Sequence, residues 1–239
     1  SSRLSTGERK ANMRTIIVTS LTTAWSLPLL LGFALIGRGL MCRVLEFLEE
    51  HPINVKEQKT TLTAGIWLFA TFSMIAALAP VPVADRAAAI VMMAFLLQAG
   101  STDAVSGYLP RTFTVRLLLG GLLWGAASDV SVEGISTQLA EIAATVSLMA
   151  LLSVLVNRGT QRLGQGDLWL ITGLTAWMGG KDAALVTLFG AAAFVLWLLT
   201  GIYRGKKRDH WDPGFVLAGV FSSSLFCINL YGYRFYENA

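Results

Sequence analysis

The chain has 239 residues, of which 54% are hydrophobic and only 14% charged, with a formal net charge of +4 and a mean hydropathy of +0.59. An ordinary soluble domain carries roughly 25% charged residues, so the composition excludes a water-soluble globular fold and points to a polytopic membrane protein, one all-α bundle of about eight transmembrane helices. The small basic excess belongs on loops facing anionic lipid rather than on a nucleic-acid surface, and Cys42 and Cys227, far apart in apolar surroundings, read as packing residues rather than as a disulfide or thiolate metal site.

Residues 1–15 read as a basic tail (Arg3, Arg9, Lys10, Arg14). A natural reading frame would not open on Ser1-Ser2, so Met13 is the expected start. Residues 16–37 form the first apolar stretch. It has a basic flank like a signal peptide, but its core is longer than a usual h-region and no small-residue cleavage motif closes it, so it reads as an anchor helix. Residues 38–60 read as a short interfacial segment on the cytoplasmic side. Met41, Val44, Leu45 and Leu48 fall on one helical face, Arg43, Glu46, Glu49 and Glu50 on the other, and His51-Pro52 makes the turn.

Residues 61–233 then form a membrane core, with apolar stretches over 61–81, 86–101, 113–128, 135–156, 167–180, 182–203 and 214–233. Helices are required because a lone segment in lipid must satisfy its own backbone, and no alternating pattern of a barrel strand occurs. Gly121 and Gly125, with the runs Ala87-Ala88-Ala89 and Ala191-Ala192-Ala193, fit close helix packing. With eight spans, loops 38–60, 102–116, 157–166 and 204–213 share one side and hold 12 Lys and Arg, whereas the opposite inter-span loops hold Arg86 and Lys181 alone. The basic side is expected to be cytoplasmic, although the basic amino-terminal tail would then lie outside.

Acids are costly in a span, by at least ~2.5 kcal/mol at its centre, so their positions carry information. Asp103 ends one apolar stretch seven residues before Pro110, past which a helix hardly continues. Asp167, in Leu163-Gly164-Gln165-Gly166-Asp167-Leu168, follows two glycines that permit a tight loop and belongs in the first turn or cap of the next helix. Both face the basic side. Either alone would pass for a helix cap or a solvated loop-edge acid; together they suggest a dyad that activates water for peptide hydrolysis, which needs no metal or cofactor. Neither an H-E-x-x-H nor a G-x-S-x-G pattern is present. Glu141, within the fifth stretch, reads as a buried hydrogen-bonded group near the outer end; Asp129 and Asp182 read as solvated.

At these residues the chain resembles the type IV prepilin peptidases, membrane aspartyl proteases of the GxGD class. The resemblance rests on Asp103 followed by Leu109-Pro110 with Thr112 and Thr114, on Gly164, Gly166 and Asp167 followed by Ala176-Trp177-Met178-Gly179-Gly180, and on Trp211-Asp212-Pro213-Gly214-Phe215 before the last span. It covers roughly residues 62–233 and implies that Asp103 and Asp167 are catalytic, with Gly164, Gly166, Leu109, Pro110, Pro213 and Gly214 in support. It further implies an inner-membrane peptidase facing the cytoplasm that removes the short basic leader of a prepilin or pseudopilin. Two departures stand out. Trp169 occupies the position where many members have Lys, and residues 38–60 are too short for the larger, Cys-x-x-Cys-containing domain of bifunctional members, so little or no methyltransferase activity is expected.

Glu46, Glu49 and Glu50 could receive the basic leader, though they equally suit the wet face of an interfacial helix. Two other classes remain. A cation-coupled transporter would be expected to show internal repeats and mid-span acids, and neither is seen; a non-catalytic secretion-assembly subunit would leave both acidic motifs without a purpose.

Overall fold

A computed structural model describes residues 23–50, 59–106, 109–129, 131–156 and 165–203. Among them a single 3-10 turn, Thr23–Trp25, leads into seven α-helices: α1 Ser26–Glu49, α2 Lys59–Leu78, α3 Val83–Ser106, α4 Arg111–Ser128, α5 Val132–Val156, α6 Gln165–Met178 and α7 Gly180–Tyr203. No strand occurs among the described residues. Among the described residues four helices, α1, α2, α3 and α5, are long and apolar enough to cross a membrane, which makes this a multi-pass membrane protein. The expected eighth crossing, 214–233, lies outside the described residues.

Local chemistry sets the helix ends. Pro80 and Pro82 stop α2 at Leu78, short of the expected 81, and α3 starts directly after them. Pro110, with φ −66° and ψ 136°, is the extended residue before α4. The Ser131 hydroxyl accepts the Gly134 amide at 3.0 Å and so caps α5. Gly179, at φ +82°, separates α6 from α7, a backbone state that favours glycine. Within the spans, Thr63, Thr71, Thr102 and Thr172 donate to the carbonyl four residues earlier, satisfying hydroxyls that lipid cannot.

One element departs from expectation. Residues 38–49 continue α1 without a break, burying Met41, Val44 and Leu48 against α2 and α3. The helical periodicity was readable, but a pattern with one apolar face is the same whether the helix lies on a membrane or continues a span. Cys42, expected to pack, is exposed.

Helix α3 is the hub, with 67% of its apolar window buried against 44% for α2, 17% for α1 and none for α5. One face gives Met93, Leu97 and Ala104 to a cluster with α1 and α2. The other gives Met92, Leu96 and Ala99 to a second cluster with Leu109, Phe113 and Leu117 of the α4 region and Leu170, Leu174 and Trp177 of α6.

The seam between α4 and α6 is the most extensive helix pairing. It is close because small residues face each other: a Cβ on Gly121 would lie 2.8 Å from the Ala176 backbone, and one on Gly173 would lie 2.9 Å from the Leu117 side chain. Trp177 Nε1 donates to the Leu117 carbonyl at 2.7 Å, and Gln138 of α5 donates to the carbonyls of Gly121 and Ala176 at 3.1 and 3.0 Å, tying three helices together. Gly121→Val should therefore destabilise the protein by about 1–3 kcal/mol through overpacking, read as a lower thermal midpoint in detergent. Gly39→Ala, whose methyl group would meet nothing within 4 Å, should not.

Candidate active site

Asp103 sits in the last turn of α3, half-buried, between the fully buried Thr102 and Ala104. The turn is held by hydroxyl bonds along the helix, Thr102 Oγ1 to the Gln98 carbonyl at 2.8 Å and Ser106 Oγ to the Thr102 carbonyl at 2.7 Å. Leu109 and Pro110 are both buried at the entry to α4.

Asp167 is the third residue of α6, so its backbone lies in the first turn, as the sequence implies. Gly166 fixes where that turn sits. A Cβ there would lie 2.7 Å from both Leu109 Cβ and the Leu109 carbonyl oxygen, a separation no real side chain tolerates. The residue before Asp167 is thus in backbone contact with the residue six positions after Asp103, and the two motifs meet at one end of the bundle.

At 1.5 Å per residue the 14 residues of α6 span about 21 Å, short of a ~30 Å hydrocarbon core. A helix this short can leave its first turn below the lipid surface, where water arrives only through a gap in the bundle.

The end of α1 reaches the same region. Phe47 stacks edge-on against Phe113 of α4, with centroids 6.1 Å apart, and Gln98 Nε2 donates to the Leu40 carbonyl at 3.4 Å. Glu46, Glu49 and Glu50 are exposed at this end; Glu46 faces Arg43 at 3.4 Å, an exposed pair of little energetic weight. Gln98 and Phe47 were not readable as site-supporting residues, since a lone polar or aromatic residue in an apolar helix carries no address. Gly164, Pro213 and Gly214 lie outside the described residues.

The Ala176-Trp177 stretch of the second motif is the part of α6 locked onto α4, so its role in the structure is packing at a distance from the acids. At that far end Glu141 Oε2 accepts the Gly180 amide at 2.9 Å, the hydrogen-bonded role expected of it, although the residue is half-buried rather than buried. Asp129 is exposed and accepts the Ser131 amide at 3.0 Å.

Residues 90–202 match the type IV leader peptidase family. The chain is 30% identical over 190 residues to the prepilin leader peptidase/N-methyltransferase of Burkholderia pseudomallei strains 1026b and K96243, covering 77% of this chain and 56% of the relative. It is 27% identical over 213 residues to the protein of the same name from Pectobacterium carotovorum subsp. carotovorum, covering 86% and 71%. The chain thus spans about half the length of the Burkholderia relatives. No solved structure matches.

Gly166→Ala should push the first turn of α6 off Leu109. Hydrogen exchange at the amides of residues 167–171 should rise several-fold and the thermal midpoint fall, whereas Gly32→Ala, with nothing within 4 Å of the added methyl group, should change neither.

Proposed function

We propose that this chain, whose residues 90–202 match the type IV leader peptidase family, is a membrane aspartic endopeptidase that removes the short basic leader of a prepilin or pseudopilin at the cytoplasmic boundary of the membrane. The observation that carries the reading is the contact of Gly166 with Leu109, which draws the start of α6 to the end of α3 and with it the segments bearing Asp167 and Asp103.

In the proposed mechanism the two carboxylates share one proton across a water. Asp167, in the first turn of α6, is in the positive field of the helix amino terminus and carries the charge; Asp103, in the last turn of α3, is in the negative field of a carboxyl terminus and carries the proton. Ionised Asp167 takes a proton from the water as its oxygen attacks the scissile carbonyl carbon, while Asp103 gives its proton to the carbonyl oxygen. The resulting gem-diol collapses: one hydroxyl returns a proton to Asp103, the proton on Asp167 passes to the leaving nitrogen, and the C–N bond breaks. The dyad ends as it began, and the cycle requires neither metal nor cofactor.

The substrate class follows from placement. A leader that stays in water and an apolar helix that enters lipid meet at the depth of a first helical turn, where Asp167 is. At the same end of the bundle the exposed Glu49 and Glu50 offer carboxylates to a basic leader, while Glu46 is already opposite Arg43.

The test is leader removal from a prepilin by the purified protein. Asp103→Ala and Asp167→Asn should each lower the rate by about 10²–10⁴-fold with normal expression and folding. Unimpaired cleavage by either variant removes that residue from the mechanism.

A further inference from the structure

At the end of the bundle away from Asp103, a cavity of about 70 Å³ opens between the end of α2, the start of α3 and the ends of α4 and α6. Each water needs only ~10–15 Å³ of such space, so the cavity admits a group several waters in size. Its wall is largely apolar, with Ala76, Ala88, Met92, Trp124 and Trp177, but Asp85 and Arg86 also line it.

Arg86, expected in a loop, is in the first turn of α3 and only 5% exposed. Its Nε donates to the Val81 carbonyl at 2.8 Å and its Nη1 to the Ala77 carbonyl at 3.2 Å, holding the chain that leaves α2. Its Nη2 is buried and has no hydrogen-bond partner among the described residues. A buried guanidinium with an unused donor is costly unless an oxygen meets it.

From this cavity we infer that Arg86 marks a phospholipid site at the membrane face opposite the aspartates, with a phosphate oxygen on Nη2, the glyceryl end of the lipid against the Ala76, Ala88 and Met92 wall and the acyl chains in the surrounding bilayer. The location supports a lipid. The cavity joins the ends of two helices long enough to cross a membrane, where head groups lie, and the half-buried Trp124 lines it, a residue type common at that depth. A guanidinium with an unmet N–H suits a phosphate oxygen, the acceptor it binds most strongly. Asp85 on the same wall, engaged in an interaction of its own, offsets the long-range pull on a free anion, so a phosphate arrives here on an apolar carrier.

Native mass spectrometry of the full chain in detergent tests the site with phosphatidylglycerol, with diacylglycerol, which lacks the phosphate, and with inorganic phosphate as competitor. Phosphatidylglycerol should stay bound, diacylglycerol should not, and inorganic phosphate should not displace the lipid. Arg86→Gln should weaken binding about tenfold or more. Because Arg86 also holds the end of α2, a second variant, Ala89→Leu, fills the cavity wall without removing the guanidinium and should weaken binding at an unchanged thermal midpoint. Wild-type affinity in Ala89→Leu or in folded Arg86→Gln, equal binding of diacylglycerol, or displacement by inorganic phosphate overturns the inference.

Discussion

The structure depends on how closely α4 and α6 approach. In lipid no hydrophobic force draws two apolar helices together, so contact relies on dispersion and a few polar bonds, and both need backbones near each other. Gly121, Gly173 and Gly166 open that space along one seam, and the Trp177 indole and the Gln138 amide close it with bonds to carbonyls. Gly166 has the greatest functional consequence. Its contact with Leu109 is the point at which a seam that only packs helices draws together the segments that bear Asp103 and Asp167.

Helix α3 supplies the other half. Because it is buried on both faces, its last turn is held in place by neighbours on either side, and Asp103 rides on that turn. The bundle then has two chemically distinct ends. One gathers Asp103, Leu109, Gly166 and the acidic end of α1. The other gathers polar staples, with Glu141 on the start of α7 and Arg86 on the end of α2. The acids of the first end are the working groups of the proposed reaction, whereas those staples are structural, apart from the one donor of Arg86 left for a ligand.

Much of this was legible in the sequence. Apolar runs bounded by Pro80, Pro82, Pro110 and Gly179 located helices to within a few residues, because proline and glycine act on the backbone locally and need no tertiary partner. The motif around Asp167 put its backbone in a first helical turn for the same reason. Three things were not legible. The continuity of α1 through residues 38–49 depends on whether a helix bends, which its periodicity does not encode. Arg86 looked like a loop cation because its partners are carbonyls, which every residue has. Gln98 reaches Leu40 across 58 positions, and only the packed bundle brings those two together.

The central claim is that Asp103 and Asp167 come within reach of one shared water. The most direct measurement replaces both with cysteine in a chain whose Cys42 and Cys227 are serine, and treats it in membranes with a short bifunctional thiosulfonate. The account predicts rapid cross-linking of 103 to 167 within one chain. Absence of that cross-link, while a monofunctional reagent labels each cysteine, would contradict it.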